Sequence, residues 1–79
     1  MKLNQYTIFD AALEAYHQPY SLENDAMALR QFADMANDET QIAKNPTDYS
    51  LWHVGSYETT TGEFTPQEPL CIAKAHARS

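Results

Sequence analysis

The fold of this chain is decided by residues 25–37, which read DAMALRQFADMAN. Apolar side chains recur there at the i, i+3, i+4 and i+7 spacing of one helical face: Leu29, Phe32, Ala33 and Ala36. Asn24 precedes the stretch as a good N-cap, and Asp25 suits the positive end of the helix dipole. The sequence predicts a helix over Asp25–Asn37 that packs this apolar face on a sheet.

Two strands are predicted before the helix. Lys2–Asp10 is rich in the β-branched and aromatic residues that suit a pleated sheet. Alternation along it groups Leu3, Gln5, Thr7 and Phe9 on one face and Asn4, Tyr6 and Ile8 on the other. Glu14–Tyr20 is predicted to run back as an edge strand or one that ends at Pro19, which has no N–H to donate. A helical turn over Ala11–Tyr16 is the alternative.

A third strand is predicted after the helix. A turn signal, Asn45-Pro46-Thr47-Asp48, leads into Tyr49–Glu58. Alternation in this strand groups Tyr49, Leu51, His53 and Tyr57 against Ser50, Trp52, Val54 and Ser56.

The C-terminal quarter is predicted to close a hairpin. Thr59–Gly62 leads onto a strand at Glu63–Thr65, with Gly62 able to take positive φ. Pro66 and Pro69 are expected to bracket a break, after which Leu70–Ile72 is a candidate fifth strand.

The predicted order is β-β-α-β-β, with that candidate fifth strand. This order is typical of an α+β fold: a small, mostly antiparallel sheet with one helix packed on one face. Residues 1–79 are expected to form a single domain, with residues 73–79 a frayed tail. Cys71 is the only cysteine, so no intrachain disulfide can support this small core. One Trp, five Tyr and three Phe residues favour tight packing and a homodimer.

The charge of the chain argues against capture of phosphate by a basic surface. The formal net charge is −6, and the cations are dispersed along the sequence: Lys2, Arg30, Lys44, Lys74 and Arg78. Apolar runs fall short of the roughly 20 residues that span a bilayer, and the N-terminus lacks the apolar core of a signal peptide. We therefore expect a cytoplasmic protein without a membrane partner.

Candidate catalytic and metal-binding residues do not form a recognisable constellation in the sequence. The three histidines, His17, His53 and His76, stand on different segments and outside any short ligand pair. Cys71 lies between Leu70 and Ile72, as in a strand that packs. Asp38-Glu39 reads as solvated charge in a polar loop. We assign no catalytic, metal or cofactor site and expect a protein that is not an enzyme.

The candidate functional surface is a set of aromatic residues on predicted strands: Tyr6, Tyr16, Tyr20, Trp52 and Tyr57. Packing in the core and at a subunit contact is the favoured use. Aromatic groups on a sheet face can also stack unpaired bases, although such platforms usually accompany a basic groove. A further alternative is that the carboxylates imitate DNA and occupy a host DNA-binding protein.

Short blocks of the sequence also match a known pattern: Met1–Leu3, Tyr6–Asp10, Glu14–Tyr16, Ala28–Arg30 with Phe32 and Asp34, Asn37–Asp38, Asn45–Gly55 and Thr61–Phe64. In this order they resemble the small nonstructural protein of gokushoviruses, single-stranded DNA phages of the microvirus group. The departure is at residues 71–79, which are more polar than the apolar ending of that family. This difference leaves the last strand open.

The resemblance implies a phage protein made in the host bacterial cytoplasm, absent from the virion, and acting in genome replication or packaging. The family offers no established catalytic residues to carry over. The resulting hypothesis is a nonenzymatic, dimeric adaptor that assists replication or packaging of a single-stranded DNA genome. It would bind a phage or host replication protein, or the DNA itself. The alternatives are an acidic inhibitor or DNA mimic, and a single-stranded DNA-binding protein with an aromatic platform.

Overall fold

The computed structural model of the chain describes residues 1–37 and 44–75. Its elements are β1 (Lys2–Asp10), β2 (Ala15–Tyr16), β3 (Tyr20–Leu22), α1 (Asp25–Asn37), β4 (Tyr49–Glu58) and β5 (Phe64–Lys74), with a 3₁₀ turn at Pro46–Asp48. The sheet has the order β2-β1-β4-β5, with β3 also beside β1, and the strand pairs are antiparallel. The predicted α+β fold with one helix against an antiparallel sheet is confirmed.

β1 lies inside the sheet, where both of its faces are buried. Tyr6 and Ile8 are buried on the face that α1 covers, and Gln5 and Thr7 are buried on the opposite face. This division follows the predicted alternation, because successive side chains of a strand point to opposite faces. β4 pairs with β1 along the whole of β1, and these two strands form the centre of the sheet.

The predicted second strand is divided in two. Glu14 adopts a φ of 54° in the turn that leads into β2, and residues 17–19 separate β2 from β3. The interruption stays beside β1, because the His17 N–H donates to the carbonyl of Ile8 at 2.8 Å. Pro19 is tolerated at this edge, as expected for a residue without an N–H. Pairing then resumes in β3 and continues past Tyr20, where the prediction ended.

The helix has the predicted bounds and the predicted cap. The side-chain oxygen of Asn24 accepts from the Met27 N–H at 2.9 Å, which satisfies one of the free donors of the first turn. The predicted inward face is wrong in part, because Leu29 is 40% exposed and Ala33 is also exposed. The stripe that packs consists of Ala28, Phe32, Met35 and Ala36, rotated toward the side of β3.

The core lies between α1 and one face of the sheet. Its buried apolar members are Tyr6, Ile8, Ala28, Phe32, Tyr49, Leu51 and Ala75, and Tyr20 and Leu22 of β3 pack against them. Because α1 sits over β1 and β3, a groove remains between the helix and the C-terminal end of β5, bordered by Leu29 and Ala33. The position of α1 over the sheet, which the whole fold sets, therefore decides which side of the helix is buried.

β5 is one strand where the sequence predicted a break and a fifth strand. Pairing with β4 passes from Gly55↔Pro66 to His53↔Leu70, so residues 67–69 form an irregularity within a continuing strand. Prolines are acceptable here because β5 is an edge strand of the described sheet. The candidate strand at Leu70–Ile72 is the second half of β5.

Residues 73–75 of the predicted frayed tail belong to the fold. Ala73 and Lys74 belong to β5, and Ala75 is buried with its N–H donating to the carbonyl of Tyr49 at 3.1 Å. The remaining tail residues, 76–79, and the predicted loop pair Asp38-Glu39 lie outside the described residues. Within the described part of the chain, α1 is too short and too polar to cross a membrane.

Candidate functional site

The face of the sheet that points away from α1 carries the candidate site, and we call it the open face. Cross-strand registers define it by four rows: Leu3–Tyr57–Phe64, Gln5–Gly55–Pro66, Thr7–Trp52–Cys71 and Phe9–Ser50–Lys74, with Tyr16 beside Phe9 and Ser21 beside Gln5. Residues directly opposite each other in an antiparallel pair point to the same face. The open face therefore combines side chains from all five strands.

Three rings at one end of the open face form an aromatic cluster: Phe9, Tyr16 and Trp52. The ring centroids of Phe9 and Tyr16 are 4.7 Å apart, and those of Tyr16 and Trp52 are 5.9 Å apart with an interplanar angle of 84°. These are the tilted and edge-to-face geometries that aromatic pairs prefer. The Trp52 indole N–H donates to the Ser50 hydroxyl at 2.8 Å, which holds the ring in place. Tyr16 nevertheless remains 48% exposed.

The other end of the open face carries Tyr57 and Phe64. Phe64 is 47% exposed, and its ring lies against the backbone of Gly55. A Cβ at Gly55 would stand 3.0 Å from this ring and 2.6 Å from the carbonyl oxygen of Thr65. Glycine is therefore required for β5 and its aromatic side chain to approach β4 this closely.

The centre of the open face is polar but internally satisfied. The Gln5 side-chain amide donates to the Ser21 hydroxyl at 2.5 Å, and the Thr7 hydroxyl donates to the carbonyl of His17 at 2.5 Å. An apolar hollow of about 220 Å³ lies over Thr7, between Tyr16 and residues of the two edges. The polar atoms thus stabilise the edge strand, and the exposed surface above them is mainly apolar.

The charge of the open face differs from that of the whole chain. Its four rows contain no carboxylate, and Lys74 is their one charged residue. Asp48 borders a hollow of about 460 Å³ at the end of the face, beside Lys74. The surface is thus nearly neutral on a protein of net charge −6.

Two of the five predicted site residues do not lie on this face. Tyr6 is 0% exposed under α1, where its hydroxyl donates to Asp25 at 2.5 Å and accepts from Asn4 at 2.9 Å. Burial and the hydrogen bond to Asp25 raise the pKa of Tyr6 to about 12. Tyr20 packs beside Tyr6, and burial raises its pKa as well. These two tyrosines belong to the core, so a single platform of five rings is wrong.

The other three predicted residues, Tyr16, Trp52 and Tyr57, share the open face. Strict alternation along the strand predicts that Tyr57 and Trp52 point to opposite faces of the sheet. A β-bulge corrects this, because Gly55 pairs with Gln5 and His53 pairs with Tyr6, which leaves Val54 as an extra residue. Phe9 and Phe64 complete the surface and were missed. The strand alternation of β1 placed Phe9 with Thr7, but the sequence contained no sign that Trp52 would face them.

Residues 3–78 match the family model described as phage ORF5 protein. The chain belongs to this phage ORF5 protein family. Neither the curated proteins nor the solved structures contain a match to the chain. The matched residues include the aromatic cluster, the bulge and the edge strands, so the open face lies within the matched part of the chain.

His17 and His53, the two histidines within the described residues, have structural partners, and His76 lies outside those residues. The His53 ring contacts the Gly55 carbonyl through Nε2 at 2.9 Å and the Gln67 amide nitrogen through Nδ1 at 3.2 Å. Because the carbonyl only accepts, Nε2 carries the hydrogen and Nδ1 accepts from Gln67. His17 lies stacked near Tyr49 with ring centroids 6.5 Å apart. Among the described residues, His, Cys, Asp and Glu side chains do not assemble in groups of three that could hold a metal ion.

The chemistry that this arrangement supports is recognition by contact. Its exposed parts are mainly aromatic rings and apolar surface, and the side chains of Gln5, Thr7 and Trp52 already donate hydrogen bonds within the chain. Aromatic residues are enriched, and charged residues depleted, at the centres of protein interfaces. The open face has this composition.

Proposed function

We propose that this phage ORF5 protein is a nonenzymatic, homodimeric interaction protein that assists replication or packaging of a single-stranded DNA phage genome. It acts in the host bacterial cytoplasm, outside the virion, by binding a phage or host replication protein. The family match supports a phage protein. The resemblance of its sequence blocks to the gokushovirus nonstructural protein supports the narrower assignment.

The observation that carries this proposal is the open face. Tyr16 and Phe64 are each about half exposed at opposite ends of a surface whose four rows lack carboxylates. Exposed aromatic groups cost free energy in water, and their burial against another protein recovers it at about 25 cal/mol for each Å² of apolar surface. A surface of this kind on a small domain supports a role in protein contact.

The remaining surface favours a basic partner. Exposed acidic residues of the described chain lie outside the four rows of the open face: Glu14, Glu23, Asp25, Asp34, Glu63 and Glu68. Proteins that bind DNA carry positive surfaces, and opposite charges accelerate encounter and select partners. The acidic surface outside the open face is therefore suited to contact a basic replication protein, while the open face supports the homodimer.

Binding to purified replication proteins tests the proposal. The full chain is titrated into the phage replication-initiation protein and into host replication proteins, and the dissociation constant is measured by calorimetry across a salt series. We expect association with at least one basic partner, weakening as salt rises because exposed charges are screened. Competition with DNA for that partner would assign the inhibitor or DNA-mimic role. Absence of binding to every replication protein at low salt would contradict the proposal.

A second candidate, direct binding of single-stranded DNA, is favoured by one observation. The aromatic cluster and Lys74 lie on the same face, so bases could stack beside a single cation. Trp52 is the only tryptophan, and its fluorescence reports contact with an oligonucleotide directly. Salt-sensitive quenching by oligothymidylate supports this candidate, and unchanged emission at low salt eliminates it.

A further inference from the structure

We propose that the open face is the surface through which two copies of the chain meet, face to face about a two-fold axis. The two sheets form the inner layers of the dimer, and the helices lie outside. This inference rests on the homodimer in the proposed function and names its interface.

The charge distribution selects this face for self-association. Each chain has a net charge of −6, so most orientations of two copies bring carboxylates together. In the four rows of the open face the only charged residue is Lys74, which stands on the edge strand β5. A basic protein would find no carboxylate in these rows to pair with, whereas a second open face is neutral as well.

Three polar side chains at the centre of the open face keep their hydrogen bonds when another surface approaches. The side-chain donors of Gln5, Thr7 and Trp52 are each hydrogen-bonded within the chain. Burial of a polar group is costly when its hydrogen bond is lost, and these groups keep theirs when water is removed. The centre of the open face can therefore enter an interface without breaking these hydrogen bonds.

The size of the molecule matches the requirement of a stable dimer. The chain measures 43 × 23 × 17 Å along its principal axes, and a strand of 11 residues such as β5 extends about 36 Å. A typical stable interface buries about 800 Å² on each partner, which a face of this extent can supply. Paired sheets in β-sandwiches meet in the same manner, with inner side chains interdigitated. The core below α1 is small, so this second apolar layer supplies stabilisation that one chain lacks.

Two native probes allow the interface to be tested without substitution. Trp52 and Cys71, the only tryptophan and the only cysteine of the chain, occupy the same row of the open face. On dilution of the full chain we expect the mass from light scattering to fall from dimer to monomer. Over the same concentrations the Trp52 emission should shift to the red and the Cys71 thiol should react faster with a maleimide.

Charge substitutions on the two faces of the sheet provide the matched comparison. Tyr16→Glu and Phe64→Glu each place a carboxylate on the open face, and two copies bring these charges together. We expect each to weaken dimerisation roughly 100-fold, the effect of losing a central aromatic contact. Leu70→Glu is the control, because Leu70 is 57% exposed on the same strand as Phe64 but pairs with His53 on the helix-bearing face. Circular dichroism verifies that each variant is folded.

The outcomes separate this inference from the proposed function. A monomer at high micromolar concentration, or a dimer that survives both open-face substitutions and dissociates with Leu70→Glu, overturns the inference. In that case binding to a replication protein can still be measured and stands by itself. A dimer with the expected sensitivity, in a chain that binds no replication protein, supports the inference and overturns the proposed adaptor role.

Discussion

Replacement of Tyr6 by phenylalanine removes a single oxygen atom that connects the sheet to the helix. That hydroxyl donates to the carboxylate of Asp25 at 2.5 Å and accepts from the amide of Asn4 at 2.9 Å, while the ring is fully buried. Hydrogen bonds to charged groups contribute about 1.5 to 3 kcal/mol to stability. Asp25 is exposed and can be rehydrated after the substitution, which favours the low end of this range. We expect Tyr6→Phe to lower the free energy of unfolding by about 1.5 to 2 kcal/mol.

Tyr20 provides an internal control for this expectation. Its hydroxyl is buried and lacks a hydrogen-bond partner among the described residues, although its ring lies 6.4 Å from that of Tyr6. Tyr20→Phe removes a polar group whose desolvation is uncompensated. We expect the free energy of unfolding to stay within about 0.5 kcal/mol of the wild-type value, or to rise by up to about 1 kcal/mol.

Urea denaturation followed by circular dichroism measures both variants, and a change of 1 kcal/mol shifts the Tm of a domain this size by roughly 4 to 8 °C. The alkaline range gives a second readout. Because the folded-state pKa of Tyr6 is raised to about 12, its contribution to stability is complete below pH 10 and is lost as the pH rises toward 12. Tyr6→Phe should reduce that loss. Equal stability of the two variants, or a costlier Tyr20→Phe, would refute the reasoning.

Three further predictions concern single positions. Gly55→Ala should destabilise by about 1 to 3 kcal/mol in urea denaturation, because its Cβ would lie 2.6 Å from the carbonyl oxygen of Thr65. Hydrogen bonds from the amino terminus and then from residue 60 lower the pKa of Glu58 to about 2, so unfolding free energy should fall as the pH drops from 4.5 to 2. Glu58→Gln should show a smaller loss in an acid titration at low salt. Asn24→Ala should cost about 1 kcal/mol by the same urea assay, since the Met27 N–H loses its acceptor.

The helix and the two central strands could be predicted to the residue because their signals are local. The cap at Asn24, the helical periodicity after it and the β-branched composition of β1 each lie within one element. Strand β4 begins directly after the proline turn and ends at the hairpin loop, and the turn residues in the sequence predict both boundaries. Gly62 takes the expected positive φ, at 76°, in that loop.

The faces of these elements were harder to predict because they depend on their neighbours. The buried stripe of α1 is set by its position over β1 and β3, and the periodicity of Leu29 and Ala33 contains no information about that position. The two prolines of β5 suggested a break, although an edge strand can hold them beside an irregular register. Neither the buried stripe of α1 nor the continuation of β5 past its prolines can be predicted from a residue and its immediate neighbours in the sequence.

The candidate site was predicted by residue type and only partly by location. Tyr16, Trp52 and Tyr57 share the open face, whereas Tyr6 and Tyr20 lie under the helix. Aromatic residues suit both a core and an interface, so composition cannot divide them. The division requires strand order and register, which are properties of pairs of strands.

The bulge at Val54 explains why strict alternation misplaces Tyr57 and why the open face carries aromatic rings at both ends. If Val54 were paired as a regular residue of the strand, Tyr57 would point toward the helix side, and the far end of the open face would lose its ring next to Phe64. Bulges cost ladder hydrogen bonds and redirect side chains, and they are over-represented beside functional sites. Here the bulge gathers aromatic residues on the side with least negative charge. Deleting Val54 should restore regular alternation while Gly55 still pairs with Gln5, so Tyr57 should stay on the open face and the folded variant should dimerise as the wild type does. A folded deletion variant that light scattering finds to be a monomer would contradict this account of the bulge.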